Sequence, residues 1–149
     1  NAAGSGRVIR VYGVSLAAVQ TSALVGVIGQ LALQKISSHS AGSVVTPIKF
    51  DTTSAALHAN VTARTNNTHA VVANAIYGVM GWSTEELVVT GAVIGNLLAL
   101  PFFGQMWSVP NSDCEPITLR EGEGLALISK DVTVAAAIDA SFIFTDAAS

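Results

Sequence analysis

His39, His58 and His69 are the only histidines in the 149 residues, and Cys114 is the only cysteine. The inventory of strong metal ligands and nucleophiles is therefore short. A zinc site needs three or four such donors to converge, yet the histidines stand in or beside polar loop segments with no ligand spacing between them. They read as solvent-exposed loop imidazoles. A lone cysteine excludes an intrachain disulfide framework and a cysteine zinc site, leaving a plain thiol, with an interchain disulfide as the alternative. Asp51 and His58 are half of a nucleophilic triad at most, because no Gly-x-Ser-x-Gly elbow accompanies them. Glu115, Glu121 and Glu123 cluster near Gly122 and Gly124. Without further oxygen ligands or a partner of raised pKa, they read as a solvated hairpin tip rather than a calcium site or a glycosidase pair. Gly122-Glu123-Gly124 also puts acids where a phosphate would sit. Asn60-Val61-Thr62 and Asn66-Asn67-Thr68 match the glycosylation triplet, which matters only in a secretory host. The expectation is a protein that is not an enzyme, with no catalytic residue, no cofactor and no metal.

Recognition is left to the aromatic residues. Phe102 and Phe103 are adjacent, and adjacent side chains of a strand point to opposite faces. One ring then belongs to the core and the other faces a neighbour or solvent, unless both are buried beneath sheets or loops. Trp107, just before Val109-Pro110, closes the core or anchors a contact. With Trp82 these make the candidate interface: Phe102, Phe103, Trp107 and Trp82.

Composition explains why an interface is sought at all. Half of the residues are hydrophobic and 11% are charged, where about a quarter is usual. Such a chain is too apolar for disorder, and so little charge implies that much of its surface meets other protein. A net charge of −3 carries no basic footprint for nucleic acid. Val11 to Gln34 and Leu87 to Ser112 are uncharged and long enough to span a bilayer. Polar residues break both runs, and neither has a flanking basic cluster. Strands buried within or between subunits are the better reading, so no membrane span is expected. The start, Asn1 to Gly6, has no basic region followed by an apolar core and so does not read as a signal peptide. It reads as a flexible arm.

The elements that position these residues read as strands. Arg7 to Leu16 alternates, with Val8, Arg10, Tyr12, Val14 and Leu16 on one side and Ile9, Val11, Gly13 and Ser15 on the other. Both sides are mostly apolar, which implies cover on both faces. Val25 to Ile36 is a second strand, with Gly26 and Gly29 as candidate bulges. Ser37 to Ser43 is a loop. Val44 to Phe50 is a third strand, interrupted by Pro47. Asp51-Thr52-Thr53-Ser54 offers the one place where a short helical turn could be capped. Val61 to Thr65 is a short strand, and Val71 to Met80, ambiguous by periodicity, is taken as strand or irregular. Glu85 to Leu98 and Leu100 to Trp107 form two more. Three β segments close the chain, over Pro116–Leu119, Leu125–Ser129 and Val132–Thr145, with glycine turns between period-two apolar runs. The expected fold is an all-β, antiparallel β-sandwich or jelly-roll-like domain over residues 7–149. It has eight to ten strands and at most one short helix.

Several of these segments together resemble small virion structural proteins of tailed phages. They are Arg7-Val8-Ile9-Arg10-Val11-Tyr12-Gly13-Val14-Ser15, the run Leu31 to Ser37 leading to Val45-Thr46-Pro47, the Trp107 strand, and Pro116-Ile117-Thr118-Leu119 followed by Glu123-Gly124-Leu125-Ala126-Leu127. The resemblance implies a non-enzymatic structural component of the virion, such as a capsid decoration or a minor head or tail protein. It would be homo-oligomeric and packed against copies of itself and other virion proteins. Two alternatives stand beside it: an extracellular or cell-surface fibre subunit whose N-terminal arm adds to a neighbour's sheet, and a carbohydrate-binding module using Trp82 or Trp107.

Overall fold

The computed structural model describes residues 1–18, 28–65, 68–83, 103–110, 113–130 and 138–149. These residues form nine strands and no helix: β1 (Arg7–Ala18), β2 (Ile28–Ser40), β3 (Ser43–Val45), β4 (Ala63–Thr65), β5 (Thr68–Ser83), β6 (Phe103–Ser108), β7 (Ile117–Leu119), β8 (Gly124–Ser129) and β9 (Ile138–Ala148). Every pairing is antiparallel. In the first sheet β1 pairs with β9 along its whole length, while β6 and β7 lie end to end along its other edge. In the second, β2 lies between β5 and β8. β3 and β4 pair as a separate two-stranded ladder. The all-β, antiparallel expectation holds, as does its strand number.

The two larger sheets pack face to face. Ile9, Val11, Val14, Ile117 and Leu119 of the first sheet bury against Leu33 of the second, with Val61 completing the cluster. Leu16 and Leu31 make a second, smaller cluster. At one side of the sandwich β5 meets β6 through Gly78, where an added Cβ would lie 3.1 Å from the Met106 carbonyl oxygen. A side chain there would make its neighbours give by a few tenths of an ångström, so the two sheets approach closely at that point.

A bulge corrects the reading of β1. Val11 pairs with Phe144 and Gly13 with Ile143, which leaves Tyr12 as an extra residue. One inserted residue exchanges the two faces of a strand beyond it. Ile9 and Val11 are therefore buried before the bulge, and Val14 and Leu16 after it. The two apolar sides expected of this strand are one covered face that changes phase. The Val109 N–H donates to the Tyr12 carbonyl at 2.9 Å, which satisfies the bulged peptide.

Other boundaries moved for local reasons. The third strand stops at Val45, two residues before Pro47, whose nitrogen cannot donate to a ladder. The expected helical turn at Asp51 is a closed turn instead. The Asp51 carboxylate accepts from the Thr53 N–H at 2.8 Å and the Thr53 hydroxyl at 2.7 Å, and the Asp51 carbonyl accepts from Ser54 N–H at 3.1 Å. The bond from Ser54 N–H to the Asp51 carbonyl closes one turn, and the chain does not continue it as a helix. The Ser37–Ser43 loop is mostly strand, because β2 runs to Ser40 opposite Thr68. The ambiguous Val71–Met80 segment is strand within β5. The segment Glu85–Leu98, Gly26 and Asn67 lie outside the described residues.

The first six residues, expected as a flexible arm, are bonded to the domain. Both Glu121 carboxylate oxygens accept from the arm, from Gly4 N–H at 3.1 Å and Gly6 N–H at 2.5 Å. Ala2 N–H donates to the Asn60 carbonyl at 2.9 Å, and Asn1 Nδ2 donates to the Arg7 carbonyl at 2.7 Å. Gly4 and Gly6 sit at φ of 69° and 63°, a left-handed conformation that glycine adopts without a Cβ penalty. No helix among the described residues is long and apolar enough to cross a membrane.

Candidate functional site

Of the polar residues singled out as possible chemistry, Asp51, His39, His58, Glu121 and Glu123 are held apart, each by a structural partner. Asp51 is occupied by Thr53. The Nδ1 of His58 accepts from Asn60 N–H at 3.3 Å, while the His58 N–H donates to Asp146 Oδ2 at 2.9 Å. Asp146 also receives Arg7 Nε at 2.6 Å. Burial pushes the Asp146 carboxyl up, but the guanidinium of Arg7 and the N–H of His58 outweigh it and hold the group below the usual carboxylate range. Glu121 clamps the arm, and Glu123 meets Lys35 at 2.5 Å and the Arg120 N–H at 2.8 Å. His39 and His69 are not loop residues: they face each other across β2 and β5. His39 Nε2 lies 3.2 Å from Thr62 Oγ1. Burial first, then the positive charges of the Asn1 amino group and Arg64, hold its pKa below the ordinary imidazole value. Cys114 is exposed and unpaired. Among the described residues, no three His, Cys, Asp or Glu side chains are grouped so as to hold a metal ion.

The features that stand out are apolar. Between β3 and β4 the chain leaves the sandwich, and Leu57 and Val61 bring it back by packing on the core. The excursion carries Ile48 at 95% exposure and Phe50 at 88%. Its tip is nonetheless held in shape: besides the Asp51 turn, Lys49 Nζ donates to the Ser54 carbonyl at 2.8 Å. Two large side chains are thus displayed in water on a loop that its own hydrogen bonds order.

Opposite the seam closed by Gly78, the sandwich opens. Between β8 and β9 lies a cleft of about 480 Å³ lined by Leu125, Leu127, Ile138, Phe142 and Phe144, with Ile9 and Val11 also in its wall. His39, Arg64 and Asp139 are polar members of the same lining. Each of β5, β8 and β9 pairs on one side only among the described residues. β5 adds Val71, Ile76, Tyr77 and Val79 as exposed apolar side chains. Unpaired edges and uncovered apolar residues are what native sheets avoid unless another chain covers them.

Of the four residues expected to form an interface, Trp107 is half-buried against the core cluster. It stacks edge-on to Tyr77 with ring centroids 6.2 Å apart. It closes the core. Trp82 and Phe103 are described as backbone within β5 and β6, and Phe102 lies outside the described residues. Sequence reading missed Ile48 and Phe50 because their alternation with Lys49 looked like a strand. The signal against it was the pair of breakers around them, Pro47 and the Asp51-Thr52-Thr53-Ser54 turn.

No family model, curated protein or solved structure matches the chain.

Proposed function

We propose that this chain is a non-enzymatic structural subunit that reinforces a larger assembly by packing against copies of itself and neighbouring proteins, with the virion of a tailed phage as the setting its segments resemble. The observation that carries the reading is the ordered display of Ile48 and Phe50 in solvent. A side chain of that size gains about 1.5–3 kcal/mol on full burial, and nothing among the described residues collects that gain. The low charge, the one-sided strands and the apolar face of β5 point the same way.

The fibre-subunit reading draws on the edges of β5 and β9, to which an extended segment can add. Residues 1–6 are poor donors for it, since they are already bonded to Asn60 and Glu121 of their own chain. The carbohydrate-binding reading loses Trp107 as a platform, because that ring packs against Tyr77 and the core. The test is multi-angle light scattering over a concentration series, with electron microscopy of the assembled material. Concentration-dependent growth into closed or periodic particles is expected. A monomer at every concentration, with no affinity for phage shells or tails, would reject the reading.

A further inference from the structure

We infer that the β3–β4 hairpin is an acid-released strap, hinged at Ala41–Gly42 and latched by the cross-strand pair His39 and His69. This is a property of the single chain and does not rest on the assembly reading. The pairing of β2 with β5 ends in Ser38–Ala70, His39–His69 and Ser40–Thr68. β3 and β4 then pair Ser43 with Thr65, Val44 with Arg64 and Val45 with Ala63, which resumes the same register further along each strand. One in-register ladder is thus interrupted at Ala41 and Gly42, which take φ of 55° and 71°. Two left-handed residues in succession bend an extended chain, and alanine carries a steric penalty there that glycine avoids. Arg64 Nη1 donates to both carbonyls, to Ala41 at 3.0 Å and to Gly42 at 3.3 Å, and so holds the bend. Beyond it the chain folds back on the sandwich. Val61 is buried in the core cluster, the His58 N–H reaches Asp146, and Thr62 Oγ1 lies 3.2 Å from His39 Nε2.

Acid weakens this latch because the groups around it are cationic. Residues directly opposite on antiparallel strands hold their side chains on one face, with Cβ atoms about 4.5–5.5 Å apart, so His39 and His69 are neighbours. Arg64 of β4 and the Asn1 amino group act on His39 as positive charges. His69 Nδ1 and Arg64 Nε are buried without a hydrogen-bond partner, so no carboxylate bonds either atom. Asp139 of β9 lines the same recess as His39 and Arg64, yet the field at His39 is set by the two cations. Burial first, then those cations, hold the His39 pKa below the ordinary imidazole value, so the closed corner favours the neutral ring. A ring freed by opening regains its ordinary value. The contribution to closure is therefore complete above about pH 6.5 and is lost as pH falls below it, until the ring is protonated in both states. Opening uncovers Leu57 and Val61, which now pack on the core.

The experiment is amide exchange of the full chain at about pH 7.5 and about pH 5, either side of the ordinary imidazole value. Residues 43–45 and 57–65 are read against β1 in the same sample. Asp146, which accepts the His58 N–H, stays ionised over that range because its pKa is held below the usual carboxylate value. Like charges placed directly opposite weaken a ladder by up to about fivefold. Protection of the strap should therefore fall several-fold in acid while that of β1 does not. His39→Gln keeps a polar side chain beside Thr62 and cannot charge, so its strap should show no acid response. In Arg64→Gln the hinge carbonyls lose their donor. Its strap should exchange faster at both pH values, and the His39 midpoint, followed by NMR, should rise. Circular dichroism checks that both variants fold. Equal relative protection of the wild-type strap at both pH values would overturn the latch. So would an acid response that survives in His39→Gln, or a wild-type His39 midpoint at or above the ordinary imidazole value. An Arg64→Gln strap as protected as the wild type would overturn the hinge.

Discussion

Gln34→Leu tests what holds β5 in shape. Two residues along β2, from Gln34 to Ile36, correspond to five along β5, from Ile76 back to Val71. Asn74 lies inside that excess at a φ of 61°, in the left-handed region that Asn tolerates better than most residues. The extra residues leave backbone groups without ladder partners, and Gln34 meets one of them. Its side chain is 4% exposed; its amide nitrogen donates to the Val72 carbonyl at 3.1 Å, and its oxygen accepts from Lys130 Nζ at 2.9 Å. Leucine keeps the bulk and removes both bonds. The orphaned Val72 carbonyl costs about 1–3 kcal/mol, whereas the exposed Lys130 returns to water at little loss. A net loss of about 2 kcal/mol is expected, equivalent to a fall in Tm of roughly 4–8 °C for a chain of this size. Urea unfolding should show a lower midpoint with an unchanged slope. Amide exchange should quicken at residues 72–75 and remain slow in β1. A Gln34→Leu chain as stable as the wild type, with exchange unchanged, would refute the account and make the bulge independent of the amide.

Three further outcomes follow from other contacts. Asp146 has a folded pKa held below its unfolded value, so its contribution is present above about pH 4. That contribution disappears as pH falls through the depressed value. Asp146→Asn should cost about 2 kcal/mol near neutrality and flatten the acid limb of a stability–pH curve; an acid limb identical to the wild type would count against the Arg7 pair. Glu121→Ala should release residues 1–6, seen as faster amide exchange and earlier proteolysis at Gly4–Gly6, with a change in global stability below about 1 kcal/mol; unchanged protection would show that the clamp is idle. At Gly124 an added Cβ would sit 2.8 Å from Ile36 Cγ1, so Gly124→Ala should destabilise by about 1–3 kcal/mol. In a cycle with Ile36→Ala the double variant should lose less than the sum, and strict additivity would deny the contact.

The parts of the fold legible in the sequence are those decided by period. β7 and β8 flank the expected turn at Gly122, β9 falls within the expected last β segment as far as Thr145, and β1 starts at the expected Arg7. What was not legible depended on single residues whose effect is geometric. Tyr12 carries no mark of being an inserted residue; only its pairing across to β9 shows that the strand changes phase there. The irregularity of β5 is equally silent, because Ala73, Asn74 and Ala75 fit helix, strand and bulge alike, and tertiary pairing chooses among them. The polar candidates failed to converge because Asp51, Glu121 and Glu123 are each taken up by a structural partner. Glu121 and Asp146 bond to residues 115 and 139 positions away, a distance no local pattern reveals. The interface expectation went by aromatic type; of its four residues only Trp107 has a described side chain, which packs on the core, while exposure elsewhere is set by where the chain leaves its ladders. That is why Ile48 and Phe50, flanked by a proline and an aspartate turn, are the residues left in water.

The same logic bears on how a chain with so little charge avoids indiscriminate association. Native sheets protect an edge with charge, proline, bulges or short strands, and several such devices are present here. Asp139 and Asp146 lie on β9, the bulge at Tyr12 twists β1 against that strand, and β3 and β7 are three residues each. The protection is local. It does not reach Ile48 and Phe50 on the β3–β4 connection, while at the Gly78 seam an added Cβ would lie 3.1 Å from the Met106 carbonyl oxygen. Edge protection of that kind is what separates a selective contact from indiscriminate sheet pairing.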